Sequence, residues 1–420
     1  MNCGGVQNRI NMALDKGKIL ILKLNEKLLS MLIKDNHILS IQVQRQSEYM
    51  VGNIYVGKVQ NISENIAAAF VDLGEGYLTF LPQSEEKHAL VTNRKPDGRL
   101  KVGDEVLLQV AKEPMKTKLA GVTTQISLAG RYVVVGINRY DYAKEKTADA
   151  GEKKSSIHVS SKLSKKQQVR FRSIEALQQI AETCQLTVRT NAGELEDEEP
   201  LIAESRQLAE QLEHILDIAD KRTCYSCLYR EKPDYIHFIE NSYTAEYNEI
   251  VTDIPKIYET LRKHFTENDS PIRLYEDRML PLHKLYAIES RIQELLDKKV
   301  WLKSGGYLVI EPTEALISID VNSGKCEQGK DKEETFYKIN LEAAEMIALH
   351  LRARNLSGII LVDFINMRKN AHKQQLMEYM KSLLKQDNVI ADVVDMTGLG
   401  LVEITRKKIN PSFCEQYGEK

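Results

Sequence analysis

Between Tyr307 and Arg406 the spacing of apolar residues switches back and forth between every second residue and every third or fourth, which restricts the folds open to this region. YLVIEPTEALISID reads as a hairpin, and a helix follows from about Glu333 to Arg354. That helix sets Phe336, Ile339, Ala343, Ile347 and Leu351 on one stripe and stops at Asn355 and Gly358. A strand (GIILVDF), a second helix from about Lys369 to Gln386, and two more strands (VIADVVD and LGLVEITRK) complete the pattern. It predicts an α/β layer, with helices packed on a sheet.

The rest of the chain is organised differently. At 420 residues, with 42% hydrophobic and 28% charged side chains, it has the composition of two to four folded domains. Lys18 to Val43 alternates short apolar runs with turn signals such as Asp35-Asn36, predicting a strand meander whose further partners lie elsewhere. From Val51 to about Ser127 five short strands with Gly-marked turns suggest a small closed barrel of the OB-fold kind. A second β-containing unit begins at RYVVVG and includes LTVRTNA. Between these two strands, residues 153–172 carry Lys153, Lys154, Lys162, Lys165, Lys166, Arg170 and Arg172 and no acid, which reads either as a solvated loop entering a helix or as a phosphate contact. Apolar spacing from Leu201 to Ile218 predicts a helix; mixed strand and helix pieces follow from Asp234, then a helix near Leu282 to Leu296.

A net charge of -2 excludes a uniformly basic nucleic-acid coat, so a polyanion partner must meet a local patch. No apolar stretch approaches the roughly 20 residues of a membrane helix, and the opening MNCGGVQNRINMALDKGK has no signal-peptide core, so the expected compartment is the cytoplasm. Six scattered cysteines make no disulfide framework. Cys224 and Cys227 form a CxxC without the second pair of a structural zinc site, and read either as a metal or redox pair or as two thiols near a helix end.

Two strands of the last third are apolar until a closing carboxylate, Asp320 in LISIDVN and Asp363 in IILVDFIN. Ligands of open α/β sheets sit beyond the carboxyl ends of strands, so the two acids could converge there. Converging carboxylates repel unless a cation joins them, and Mg²⁺ suits one or two carboxylates plus phosphate oxygens. Asn322, two residues after Asp320, points to the same side of an extended segment. The alternative is two turn-forming or helix-capping aspartates.

ISIDVNSGK, NLEAAEMIALHLRARNLSGIILVDFINM and MTGLGLVEITRKK together resemble the catalytic core of the bacterial ribonuclease E/G family, and GNIYVGKVQNISENIAAAFVDLGEGYLTFLP resembles its embedded S1 domain. The resemblance implies an α+β multidomain chain: an S1 barrel of OB-fold type and a 5′-end sensor inserted in an RNase H-like scaffold, followed by a DNase I-like α/β catalytic domain. The implied segments are 1–50 and 233–297 for the scaffold, 51–127 for the S1 domain, 128–232 for the sensor and 298–420 for the catalytic domain.

By the same resemblance Asp320 and Asp363 are the metal-binding aspartates, holding Mg²⁺, with Asn322 as the supporting catalytic amide. Phe70 and Phe80 correspond to exposed aromatics that stack on unpaired bases, with Lys112 and Lys118 as adjacent basic positions. Taken as residues alone, both phenylalanines read as packing inside the barrel, which must fill its interior. Arg189 and Thr190 correspond to the grip on a 5′-terminal monophosphate, and Gly130 and Val134 to the backbone lining of that pocket. An exposed Arg-Thr pair on a strand is the plain reading of the first two.

Two departures stand out. The chain has only Cys414 near its end, where the family's zinc-linking Cys pair is expected, which puts a zinc-linked dimer in doubt. A position matched to a supporting Arg holds Gly398. The resulting expectation is a Mg²⁺-dependent endoribonuclease cutting single-stranded RNA to leave 5′-phosphate and 3′-hydroxyl ends, in rRNA and tRNA processing and mRNA decay, without a membrane partner. A non-catalytic S1-type RNA-binding protein is one alternative, and a metal phosphoesterase acting on DNA or small phosphates is another. The latter commonly uses catalytic histidines, and none of the nine His adjoins either Asp.

Overall fold

The computed structural model describes residues 16–44, 51–95, 97–114, 118–137, 157–265, 270–324 and 332–418. These form two compact units, one made of 16–44 with 242–418 and the other of 51–241. Cys3, Cys326, Lys153 and Lys154 lie outside the described residues.

β1 (Gly17–Leu24), β2 (Lys27–Lys34) and β3 (His37–Val43) are the expected meander. Asn25, Glu26, Asp35 and Asn36 all take positive φ, the turn geometry whose twist matches a tight hairpin. Ile19 to Leu22 are all wholly buried, so both faces of β1 are covered.

In the second unit β4 (Ile54–Ser63), β5 (Ala68–Asp72), β6 (Leu78–Pro82), β7 (Glu105–Lys112) and β8 (Ala120–Thr123) run in the order β4-β5-β6-β8-β7. β7 pairs back onto β4, which closes the five-stranded barrel expected from the sequence. Val59, Val71, Leu81, Leu108, Val110 and Val122 fill it. β9 (Ser127–Ala129), β10 (Val133–Ile137), β11 (Ile157–Val159) and β12 (Cys184–Val188) form a second sheet in the order β11-β12-β10-β9. Three helices accompany it: α1 (Lys165–Arg172), α2 (Glu175–Ile180) and α3 (Glu199–Ala219). α1 opens on a Ser164–Gln167 capping box, and Arg170 pairs with Glu198 at 2.7 Å, so part of the basic window is a capped, ion-paired helix. β13 (Cys227–Tyr229) joins β4, and α4 (Asp234–Asn241) follows. Cys224 and Cys227 are free thiols, the second on β13.

In the first unit β14 (Tyr247–Thr252) lies parallel to β1, supplying the partner that the meander lacked. α5 (Pro255–His264), β15 (Ile272–Leu274), α6 (Leu282–Leu285) and α7 (Ile288–Leu296) follow, and the sheet order is β15-β14-β1-β2-β3.

The last sheet uses β16 (Lys299–Trp301), β17 (Tyr307–Pro312), β18 (Ile317–Asn322), β19 (Gly358–Asp363), β20 (Ala391–Met396) and β21 (Leu401–Arg406), ordered β16-β17-β18-β19-β21-β20. α8 (Lys332–Ala353) and α9 (Asn370–Leu384) cover one face, and α10 (Phe413–Gly418) follows β21. Ile339, Ala343, Ile347 and Leu351 of α8 pack on Leu308, Ile319, Val321, Ile360 and Val362. Phe336 is only half-buried, and Asn355 at positive φ ends the helix.

Candidate active site and RNA-contact surfaces

Along β18, Ile317, Ile319 and Val321 turn into the core, which leaves Ser318, Asp320 and Asn322 on the opposite face. On β19, Ile360 and Val362 are inward, so Asp363 faces outward as well. β18 and β19 are the parallel strands of a strand-helix-strand unit, and their register sets Asp320 directly beside Asp363. Asn322 Nδ2 donates to Asp320 Oδ2 at 2.6 Å, joining the third residue to the pair. β18 does not end at Asp320, because Val321 and Asn322 continue the hairpin opposite Leu308 and Tyr307. Asp320 therefore projects from the open face within its strand, whereas Asp363 is the last residue of β19.

Several residues that the sequence reading did not single out hold this arrangement. A Cβ on Gly306 would stand 2.8 Å from the Asn322 carbonyl, and one on Gly324 would stand 2.4 Å from that of Gly305. Gly324 also has φ +59, so both glycines are required by the close crossing of two turns. Asn340, wholly buried in α8, accepts from Ile365 N at 3.0 Å and donates to Ile365 O at 2.8 Å. Glu333 accepts the backbone N–H groups of Arg368 and Lys369, which lowers its pKa below the usual carboxylate range. An Asn inside an otherwise apolar helix stripe was the available signal.

Asp320 and Asp363 stand one strand spacing apart, about 4.8 Å between backbones. Among the described residues no group of three or more His, Cys, Asp or Glu gathers into a metal cluster. Two carboxylates with an amide oxygen in reserve are hard donors, and the set fits a cation that keeps several waters.

In the barrel, strand pairing carries a single row from Asn61 to Phe70, Phe80, Gly121 and Lys112. Both phenylalanines are half-buried and absent from the barrel core. Their rings meet edge to face at 6.4 Å. Between Phe80 and Lys112 lies only Gly121, so no side chain separates ring from cation. Lys118 is exposed, two residues ahead of β8.

In the second sheet Arg189 N donates to Tyr132 O at 2.7 Å, just past the end of β12. Its guanidinium donates to Gly130 O and to Asn241 Oδ1, and the Thr190 hydroxyl bonds that of Ser160 at 2.8 Å. Arg189 and Gly130 are thus in contact, whereas Val134, four residues beyond Gly130, lies in β10, half-buried and opposite Thr187. The Glu204 carboxylate accepts from Arg131 N and Tyr132 N at 2.7 Å and from Val133 N at 3.1 Å, and burial raises its pKa. A Cβ at Gly130 would press on that carboxylate, so a larger residue there would displace the Glu204 side chain.

The ribonuclease E/G family model matches residues 148–409, more than half of the chain. The chain belongs to the ribonuclease E/G family. An S1 RNA-binding domain model matches residues 48–123, which span the barrel. Ribonuclease G of Escherichia coli K12 is 30% identical over 393 residues, covering 89% of this chain and 76% of that protein. Ribonuclease E of the same strain is 32% identical over 380 residues, 88% of this chain and 34% of that protein, and ribonuclease E of Haemophilus influenzae is 32% identical over 387 residues, 88% and 39%. The chain therefore spans little more than a third of the ribonuclease E relatives. Asp320, Asn322, Asp363, Arg189 and Thr190 fall inside the ribonuclease E/G match, Phe70, Phe80, Lys112 and Lys118 inside the S1 match, and Gly130 and Val134 between the two.

Proposed function

We propose that this chain is a Mg²⁺-dependent endoribonuclease that cuts single-stranded RNA and leaves 5′-phosphate and 3′-hydroxyl ends. The observation that carries the reading is the side-by-side placement of Asp320 and Asp363 on the open sheet face of a ribonuclease E/G family member. Asp320 and Asp363 would hold the cation, which when bound supplies a polarised water and neutralises charge on the phosphodiester. Asn322, tied to Asp320, holds that carboxylate in place and offers its amide oxygen to the same side. Asp320 and Asp363 are both exposed on that face, which suits the approach of an extended strand of RNA.

The barrel's phenylalanines would stack on unpaired bases whatever their identity, and Lys112 would meet the adjoining phosphates. A planar guanidinium beside a hydroxyl suits the extra oxygens and charge of a terminal phosphate, so Arg189 and Thr190, with Gly130 and Val134 nearby, would favour 5′-monophosphate ends. The same reading takes the first unit as an RNase H-like scaffold carrying a DNase I-like catalytic layer, with domain limits at 1–50, 51–127, 128–232, 233–297 and 298–420. It places the work in the cytoplasm, on transcripts undergoing maturation and decay; no helix among the described residues is long and apolar enough to cross a membrane.

The test is incubation of the purified chain with a labelled single-stranded RNA in Mg²⁺ and in EDTA, with mapping of product ends. Cleavage in Mg²⁺ alone with 5′-phosphate products is expected. RNA binding without cleavage would return the chain to the S1-type binding-protein reading.

A further inference from the structure

The open face that carries the carboxylates also carries an aromatic pair. In the hairpin β16–β17, Val300 and Leu308 are buried, so Lys299, Trp301, Tyr307 and Val309 fall on the opposite face. Strand register then aligns two rows. One runs Lys299, Val309, Asp320, Asp363, and the other Trp301, Tyr307, Asn322. Tyr307 is thus the immediate neighbour of Asn322, with Trp301 one strand beyond it. Strand spacing and rise put the Trp301 backbone about 12 Å from that of Asp320, within reach of the nucleotides that flank a phosphate held there.

The chemistry of the pair is that of a nucleobase platform. Trp301, the chain's single tryptophan, is 64% exposed, so its ring is accessible to a base. Its ring centroid is 5.4 Å from that of Tyr307, at a 59° tilt. Lys299 Nζ lies 4.0 Å from the Trp301 ring and 3.7 Å from that of Tyr307. A cation on one side of an exposed indole leaves the other side for a base, and the ammonium is placed to meet the phosphate next to it. The backbone hairpin fixes all three side chains relative to the acids, so the spacing does not depend on a loop.

We propose that Trp301 and Tyr307, with Lys299, form a base-stacking subsite for a nucleotide flanking the scissile phosphate of single-stranded RNA. The subsite rests on the endoribonuclease reading above and adds a contact that sequence resemblance does not assign. Because stacking accepts any π-face, it would strengthen binding without selecting one base.

The single tryptophan makes the test direct. Fluorescence of the full chain is titrated with a short single-stranded RNA in EDTA, where cleavage is absent, while anisotropy of a label on the RNA reports binding independently. Saturable quenching that tracks the anisotropy is expected. In Mg²⁺, Trp301→Ala should raise KM about tenfold with most of the loss in KM rather than kcat, and Trp301→Phe should recover most of it. Unquenched tryptophan at RNA concentrations that saturate the anisotropy would overturn the subsite while leaving the nuclease reading standing. A chain that neither binds nor cuts RNA would overturn the nuclease reading itself.

Discussion

Asn340 on α8 exchanges a pair of hydrogen bonds with the backbone of Ile365, accepting from its N–H at 3.0 Å and donating to its carbonyl at 2.8 Å. This ties the segment just after Asp363 to the helix that links the two acid-bearing strands. Asn340→Leu leaves both backbone groups without that partner, and a cost of about 1–3 kcal/mol in stability is expected from such buried orphans. Cleavage should fall beyond what the loss of folded protein explains, as measured by kcat on the fraction shown to be folded by circular dichroism.

Asp320→Asn and Asp363→Asn should each fold normally, since both side chains are exposed and their strands are held by Ile319, Val321, Ile360 and Val362. Each removes one of the two negative charges proposed to hold the cation. A loss of roughly a hundredfold or more in kcat is expected. Near wild-type cutting by either variant in Mg²⁺ would remove that carboxylate from the site.

Phe70→Ala and Phe80→Ala should weaken single-stranded RNA binding by about 1–3 kcal/mol each, the usual worth of one stacked base. The melting temperature should move little, because neither ring belongs to the barrel core. A large drop in melting with unchanged affinity of the folded fraction would assign both rings to packing instead.

RNA with a 5′-monophosphate should be cut about tenfold more efficiently than the matching 5′-hydroxyl RNA, equivalent to roughly 1.4 kcal/mol. The preference is expected to be modest, because the Arg189 guanidinium already donates to Gly130 O and Asn241 Oδ1 and must share itself with a phosphate. Arg189→Ala should erase the difference between the two substrates. Equal wild-type rates on both would end the sensing proposal.

Acid should destabilise the first unit through His350. This residue is buried, its Nδ1 accepts from Arg354 Nε at 3.0 Å, and desolvation followed by the charge of Arg354 holds its pKa down at about 3. The unfolded chain takes up that proton near pH 6.5 while the folded chain refuses it. The contribution to stability is therefore complete above about pH 6.5 and is lost as pH falls toward 3, by about 1.4 kcal/mol per pH unit. Urea midpoints between pH 5 and 7.5 should show this slope, and His350→Gln should flatten it.

Local order was written plainly in the chain. The hairpin turns at Asp35-Asn36, the α8 stripe through Ile339, Ala343, Ile347 and Leu351, and the outward side of Asn322 relative to Asp320 all follow from backbone preferences and from periods of 2 and 3.6 between near neighbours. The faces were harder to read. In AAAFVDLG every residue but Asp72 and Gly74 is apolar or aromatic, so the pattern left Phe70 free to point either way, and only closure of β7 onto β4 determined which side was inside. The pairing of β1 with β14, the register that sets Asp320 beside Asp363, the contact of Arg189 with Gly130, and the alignment of Trp301 and Tyr307 with Asn322 belong to the tertiary structure. Register between distant strands is chosen by the many apolar groups that must be buried together, and no stretch of neighbouring residues carries that information.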